Sequence, residues 1–341
     1  MGLFNWFTQE IAMDLGTANT LIIHNDEITV NEPSIIALNR NNPKEVLAVG
    51  KKALMMHEKT HDDIRTVRPL RDGVIADFNA AELMIRGLIK LVYPKKTLFR
   101  PSWRMMICIP SSITEVEKRA VRDSAEQAGA KEVYLVHEPM AAALGIGIDV
   151  EEPIGNMIID IGGGTTGISV IALAGIVCDQ SIRIAGDEFT ADIMESLRRY
   201  HSLLIGERTA EQIKIQIGSA IKDLDDPPAD IPVNGRDLVT GIPKQIYVSY
   251  QEIAEALDKS VFKIEEGILR ALEQTPPELA SDIYRRGIYL TGGGALLRGL
   301  DKRLSQKMKL PVHVADDPLK SVVRGTGLAL KRYDDYPFVM R

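Results

Sequence analysis

Along residues 10–31 apolar and polar positions alternate, and the alternation is broken by turn residues at two points. The pattern predicts a strand ending in Met13-Asp14-Leu15, a turn over Gly16-Thr17-Ala18-Asn19-Thr20, and a strand over 21–24. A tight turn at Asn25-Asp26 and a third strand over 27–30 follow. Residues 156–184 repeat this arrangement. A strand over 156–161 carries Asp160, then Gly162-Gly163-Gly164-Thr165-Thr166, a strand over 168–173, a turn at Ala174-Gly175 and a strand over 176–184. An aspartate at a strand end, followed by a glycine turn and threonine, therefore occurs twice in the same setting. Internal repeats of this kind point to a duplicated architecture.

The downstream pattern repeats too. A helix over 80–92 precedes an apolar strand over 104–109. Thr114 with Glu117 three residues later reads as a capping box opening a helix. Its apolar stripe is Val116, Ala120, Val121, Ser124, Ala125 and Ala128; the helix ends at Gly129, before a strand over 132–136. The second half offers a helix over 251–273, with Ile253, Leu257, Val261, Ile264, Ile268 and Leu272 spaced by three and four. A strand over 287–291, the run Gly292-Gly293-Gly294, a helix over 296–309 and a strand over 311–314 complete it. Both halves read βββ-α-β-α-β, interrupted by insertions at 31–75 and 185–249. The expected fold is α/β: two duplicated lobes, each a mixed sheet flanked by helices and carrying a smaller inserted subdomain, with the ligand cleft between lobes.

With 341 residues there is material for two cores. Net charge is 41 − 47 = −6, which argues against a general nucleic-acid binder. Cys108 and Cys178 lie in apolar runs outside any CxxC pair, so reduced thiols are expected and no zinc site or disulfide framework. No apolar run reaches the ~20 residues of a membrane span. The first residues lack the features of a signal peptide, and Trp6 breaks the myristoylation pattern. A cytoplasmic location is expected.

Glycines at a strand-to-strand turn let backbone N–H groups approach phosphate oxygens, and Thr17, Thr165, Thr166 and Asn19 can add side-chain donors. A carboxylate repels phosphate, so Asp14 and Asp160 make sense facing one polyphosphate if Mg²⁺, held through water, lies between. No P-loop signature occurs. Glu138, between a strand end and Pro139, stands where a carboxylate can serve as general base; a helix-N-terminal charge favoured by the dipole is the alternative.

Asp14-Leu-Gly-Thr-Ala-Asn-Thr20, Asp160-Ile-Gly-Gly-Gly-Thr-Thr166 and Leu290-Thr-Gly-Gly-Gly-Ala295 together resemble the actin, sugar-kinase and heat-shock-chaperone ATPase superfamily. Asp72-Gly-Val-Ile-Ala-Asp77, His137-Glu-Pro-Met-Ala-Ala-Ala143, Ala185-Gly-Asp-Glu188, Gly206-Glu-Arg-Thr-Ala-Glu211, Gly235-Arg-Asp-Leu238 and Thr275-Pro-Pro-Glu-Leu-Ala280 narrow it. From about Ile11 to about Leu330 the chain resembles the MreB family of bacterial actin homologues, which govern cell shape. The resemblance implies ATP and Mg²⁺ as cofactors, slow hydrolysis, and polymerisation into antiparallel double protofilaments. It also implies partners of the RodZ, MreC and MreD type and the wall-synthesis proteins.

By motif, Thr17, Ala18, Asn19, Gly162, Gly163 and Gly164 would hold phosphates, and Asp14 and Asp160 the metal. Glu211, Gln212, Ile213 and Lys214 would contact base and ribose, with Gly292, Gly293, Gly294 and Ala295 on the other side of the nucleoside. Glu138 would orient or deprotonate the attacking water, and Thr165 would assist. The family's four subdomains would fall at 1–30, 76–143 and 322–341 (IA), 31–75 (IB), 144–184 and 250–321 (IIA) and 185–249 (IIB). Two departures stand out: Gly167 where a glutamate is common, and His137 where an acidic or other residue is usual. The first leaves hydrolysis rate and its coupling to the filament less securely carried over.

Wound as a helix, Leu3, Phe4, Trp6 and Phe7 fall within an arc of roughly 160°, a short amphipathic segment suited to a membrane interface. An N-terminal strand extension is the plainer alternative. Leu98-Phe99, among Lys95, Lys96 and Arg100, forms a second candidate for anionic lipid, with ordinary loop packing as its alternative. Weak single-copy binding would sum along a filament, giving a peripheral protein on the inner face of the cytoplasmic membrane. A sugar-type kinase of the same superfamily is the runner-up; it needs a separate catalytic aspartate motif that the chain does not offer. A chaperone would need a further peptide-binding domain, which is not expected here.

Overall fold

The computed structural model describes residues 8–59, 61–93 and 102–341. The first stretch of elements is β1 (Thr8–Leu15), β2 (Asn19–His24), β3 (Glu27–Pro33), β4 (Ile36–Asn39), β5 (Val46–Val49), α1 (Lys51–Met56), β6 (Ile64–Val67), β7 (Leu70–Arg71), β8 (Val74–Ile75), α2 (Phe78–Val92), β9 (Ser102–Ile109), α3 (Glu115–Gln127), β10 (Ala130–His137) and α4 (Glu138–Gly145). The second is β11 (Asn156–Ile161), β12 (Thr166–Ala172), β13 (Gly175–Ile182), α5 (Gly186–His201), β14 (Leu203–Leu204), α6 (Glu207–Ile217), β15 (Ile231–Asp237), β16 (Pro243–Val248), α7 (Tyr250–Gln274), α8 (Pro277–Arg286), β17 (Ile288–Thr291), α9 (Leu300–Met308), β18 (Val312–Val314) and α10 (Ser321–Lys331). Two compact units result: one of residues up to Pro153 with 171–179 and 319–341, the other of 154–170 and 180–318.

The sheet orders are the same once the insertions are set aside. One runs β3-β2-β1-β9-β10 and the other β13-β12-β11-β17-β18. β1 pairs antiparallel with β2 and parallel with β9, which pairs parallel with β10. β11 pairs parallel with β17, and β17 with β18. The insertions form small three-stranded sheets of their own, β5-β4-β6 and β14-β15-β16. The βββ-α-β-α-β reading thus survives, with α4 and α10 following the last strand of each half and α8 added after α7. α8 follows the Pro276-Pro277 break that ends α7, with Pro277 at its start, Ile283 buried and Arg285 and Arg286 in its last turn.

Side chains alternate across a strand, so odd and even positions of β1 and β9 face opposite ways. The odd set, Ile11, Met13, Leu15, Met105, Ile107 and Ile109, joins Met84, Ile85 and Leu88 of α2 and Val121 and Ala125 of α3 in one buried cluster. Burial of each isoleucine, leucine, methionine or valine among them contributes ~1.5–3 kcal/mol. The even set, which includes Asp14 and Cys108, faces α4 and α10; a Cβ on Gly327 of α10 would lie 4.0 Å from Cβ of Ala12. The capping box at Thr114 forms as expected. Val116 does not join the stripe and stands 76% exposed. At 100° per residue it lies about 110° from the centre of the arc that Ala120, Val121, Ser124 and Ala125 bury.

Boundaries moved where backbone conformation overrode the letters. The β12–β13 turn sits on Leu173 and Ala174, both with positive φ (51° and 55°), one residue before the expected Ala-Gly. Leu173 and Ala174 donate their N–H groups to the carbonyls of Glu152 (3.0 Å) and Val150 (2.6 Å), which hold that conformation against its steric cost. The helix expected at 296 begins at Leu300, because Gly299 adopts φ 71° and breaks the chain there.

α4 and α10 cross at small residues. A Cβ at Gly145 would run into the carbonyl of Ser321, and one at Gly325 into that of Ala141. Gly145→Ala should therefore destabilise by roughly 1–3 kcal/mol, seen as a lower urea midpoint. Gly167→Ala, where an added Cβ meets nothing within 4 Å, should leave it nearly unchanged. A second expectation concerns His137. Burial pushes the ring below its ordinary value of 6.5, against the Pro110 carbonyl it contacts, with Lys118, Asp179 and Glu115 nearby. Nδ1 is buried without a hydrogen-bond partner. Because the folded value is depressed, the stability is present above pH 6.5 and lost as pH falls through the folded value. Melting temperature should drop between about pH 7.5 and about pH 5.5, and the drop should be smaller in His137→Gln.

Candidate functional site

The turn after β1 is shaped by its neighbours. A Cβ on Gly16 would lie 2.7 Å from the Asn19 carbonyl, so the turn closes only around glycine. Ser34 fastens it: its hydroxyl donates to the Gly16 carbonyl (2.6 Å), its N–H donates to the Ala18 carbonyl (2.9 Å), and Thr20 Oγ1 lies 2.8 Å from Ser34 Oγ. Gly73 donates its N–H to Thr17 Oγ1 at 3.1 Å. It reaches Thr17 from a turn with positive φ at Asp72 (51°) and Gly73 (78°). The Thr17 hydroxyl, accepting from Gly73, keeps its proton for another acceptor. Ala18 is half-buried and Asn19 exposed.

Asp14 ends β1 beside Cys108 of β9, its register partner. The thiol donates to Asp14 Oδ1 at 3.2 Å. Burial, then the charges of Asp14 and Glu138, push the Cys108 thiol well above its usual range, so it stays protonated. Glu138 opens α4 directly after β10, where Val136 pairs with Cys108. The carboxyl ends of three parallel strands thus gather Asp14, Cys108 and Glu138. Such strand ends are where open α/β sheets hold ligands.

In the other unit, Gly162 donates its N–H to the Thr165 carbonyl (2.9 Å) to close the turn. Gly186 and Asp187, the first residues of α5, donate theirs to the carbonyls of Gly162 (3.1 Å) and Gly163 (2.7 Å). Among the described residues, the N–H groups of Gly163 and Gly164 meet no backbone acceptor, which suits an anion. Thr166, expected as a donor, is fully buried and gives its proton to the Ile184 carbonyl at 2.6 Å. As the first residue of β12 it faces the interior, while Thr165 is half-buried in the turn.

Asp160 ends β11 beside its register partner Thr291, whose hydroxyl donates to Asp160 Oδ1 at 3.0 Å. Burial raises the Asp160 carboxyl above its usual value, and the Thr291 hydrogen bond opposes this. Gly292 (φ 79°) follows Thr291, and a Cβ there would lie 2.6 Å from Asp160 Oδ1. A Cβ on Gly294 would strike Ile161. The glycine run is therefore required by close approach to the Asp160 strand end, and it turns through Gly293–Leu296 with Ala295 buried.

On α6, Lys214 Nζ donates to the carbonyl of Gly186 (2.7 Å) and to Thr190 Oγ1 (3.1 Å), and pairs with Glu211 at 2.6 Å. Its ammonium lies 3.3 Å from where a Gly186 Cβ would stand, itself 3.2 Å from the Gly162 carbonyl. A cation thus borders the glycine turn. Gln212 is exposed, whereas Ile213 turns into the core at 2% exposure, since 100° per residue sends one position in four inward. An added Cβ on Gly167 meets open space, so the glutamate common there would fit. Leu3, Phe4, Trp6, Phe7, Leu98 and Phe99 lie outside the described residues. Among the described residues no helix is long and apolar enough to cross a membrane.

Sequence reasoning passed over Ser34, Gly73, Cys108 and Thr291. Only the glycine in Asp72-Gly73 carried a signal; the other three read as ordinary strand or turn residues until the register was known.

The model for the MreB/Mbl protein family matches residues 8–337. The cell shape-determining protein MreB of Escherichia coli is 48% identical over 332 residues, 96% of this chain and 95% of that protein. The cell shape-determining protein Mbl of Bacillus subtilis is 46% identical over 332 residues, covering 97% and 98%. Among solved structures, MreB5 of Spiroplasma citri bound to AMPPNP superposes with TM-score 0.89 at 40% identity, over 96% of this chain and 97% of that one. The MamK double helical filament superposes with TM-score 0.78 at 22% identity, covering 97% and 100%, and speaks for the fold alone. With an actin-like fold and a family match over nearly its whole length, this chain belongs to the MreB/Mbl family of cell shape-determining proteins.

Proposed function

We propose that this member of the family is a slow ATPase that polymerises into membrane-associated double filaments and directs wall synthesis and rod shape. The observation that carries the reading is the duplicated aspartate at a central strand end, followed by a glycine turn, in two sheets of the same strand order. MreB5 of Spiroplasma citri has been solved with AMPPNP and with ADP, which supports nucleotide binding here. The four-subdomain division expected from the resemblance belongs to the same proposal.

Thr17, Ala18, Asn19, Gly162, Gly163 and Gly164 contact phosphate, while Lys214, paired with Glu211, belongs with the base and ribose contacts. Glu211, Gln212 and the run Gly292 to Ala295 serve the nucleoside; Ile213 contributes by packing α6. The carboxylates of Asp14 and Asp160 fit Mg²⁺ held through water. Both are hard oxygen donors, and the glycine cradle at Gly292 leaves room beside Asp160 that a Cβ would fill. Bound there, the ion would neutralise charge on the phosphates.

Glu138 accepts a proton from water as its oxygen attacks the γ-phosphorus; the bond to the bridging oxygen breaks, and ADP leaves with the electron pair. Thr165 holds that water by hydrogen bonding. The filament itself, its antiparallel pairing, contact with lipid through the residues around Leu3–Phe7 and Leu98-Phe99, and docking of RodZ, MreC, MreD-type and wall-synthesis proteins rest on the family resemblance.

Glu138→Ala should retain nucleotide binding while phosphate release falls by roughly 10²–10⁴; unchanged turnover in a phosphate-release assay removes Glu138 from the mechanism. Sedimentation with anionic lipid vesicles should increase in ATP–Mg²⁺. A soluble, nucleotide-indifferent monomer sinks the filament reading.

A further inference from the structure

The two aspartates share a feature beyond their turns. In each sheet the residue in register with the aspartate on the neighbouring parallel strand donates a side-chain hydrogen bond to its Oδ1. It is Cys108 Sγ to Asp14 at 3.2 Å in one, and Thr291 Oγ1 to Asp160 at 3.0 Å in the other. Register partners on adjacent strands point to the same face with Cβ atoms about 5 Å apart. A short donor at that one position therefore meets the carboxylate, and a longer side chain would overrun it.

We propose that Cys108 and Thr291 are a matched pair of positioning residues, each fixing the rotamer of the aspartate in register with it and so setting how that carboxylate meets water-bridged Mg²⁺. This rests on the reading that Asp14 and Asp160 serve the metal. On the Asp160 side, Oδ1 takes the Thr291 hydroxyl, and glycine at 292 keeps clear the space beside the same oxygen that a Cβ would fill. The Cys108 side chain is 2% exposed and Thr291 fully buried, so both are shielded from water that could replace their hydrogen bonds. Cys108 in particular, buried and protonated, is spent on this bond rather than on thiol chemistry. A valine or alanine at either position would fill the strand equally well, yet leave Oδ1 without its donor. The two donors also differ in kind. A thiol is the weaker one, so the Cys108 hydrogen bond is the one a hydroxyl in its place would strengthen.

The test uses the full chain and release of a fluorescent ATP analogue, titrated with Mg²⁺ and repeated in chelator. Cys108→Ala and Thr291→Val should each raise the Mg²⁺ concentration for half-maximal slowing of release by roughly threefold, less than for partners of direct metal ligands because the aspartates hold the ion through water. Release in chelator should stay as in the unmodified protein. Cys108→Ser and Thr291→Ser should restore the Mg²⁺ response, with Cys108→Ser at or below the unmodified midpoint. Equal weakening with and without Mg²⁺, or an unmoved midpoint in variants whose melting temperature shows them folded, overturns the inference. If Cys108→Ala fails to fold, Thr291→Val and the serine pair still decide. Asp14→Asn and Asp160→Asn separate the layers. Loss of the Mg²⁺ response in these alone refutes only the positioning role, whereas an intact response in them refutes the metal reading and this inference with it.

Discussion

Each unit is organised around a parallel strand pair that stops at an aspartate. The ladder between β1 and β9, and between β11 and β17, fixes which residue stands beside that carboxylate, because parallel register admits one partner per position. The ladder thus places the backbone of the aspartate, and its side chain meets Cys108 or Thr291 there. Everything nearby conforms to it. The turn glycines give way to carbonyls and to the carboxylate itself, Ser34 and Gly73 fasten one turn, and α5 fastens the other through Gly186 and Asp187.

The two turns are built by different means for one result. In the first unit the fastening groups come from β3's end and from the short turn between β7 and β8, all side-chain or amide contacts to a four-residue bend. In the second, a sixteen-residue helix donates its leading amides into the turn carbonyls, and Lys214 ties that helix start to α6. Asymmetry follows from the insertions. The β4–β6 insertion can supply only loops near its turn, whereas the α5–β16 insertion begins with a helix whose unsatisfied N–H groups need acceptors.

Much of the candidate site was legible before any coordinates. Asp14, Asp160, the glycine turns and Glu138 were marked by their letters, because a glycine forced by close approach and a carboxylate at a strand end leave signatures within a few residues. Thr166 and Ile213 show where such reading stops. Whether a threonine beside a turn faces the ligand or the interior depends on strand pleat, and Thr166 is turned to the Ile184 carbonyl. Ile213 stands within a stretch of otherwise accessible residues yet packs in the core, since helical phase sets its direction. Val116 misled for the same reason, at the rim of an arc rather than its centre.

By itself the sequence determined the duplication, the element order, the capping of α3, and the residue types able to meet phosphate and metal. These are local, because periodicity, caps and turn chemistry act within a few residues of the chain. Tertiary structure alone decided that Cys108 meets Asp14 across 94 positions and Thr291 meets Asp160 across 131. It also decided that Gly145 and Gly325 must stay small where α4 and α10 cross. Those choices are set by strand register and helix approach between segments far apart in sequence, and a letter carries no record of the partner it will face.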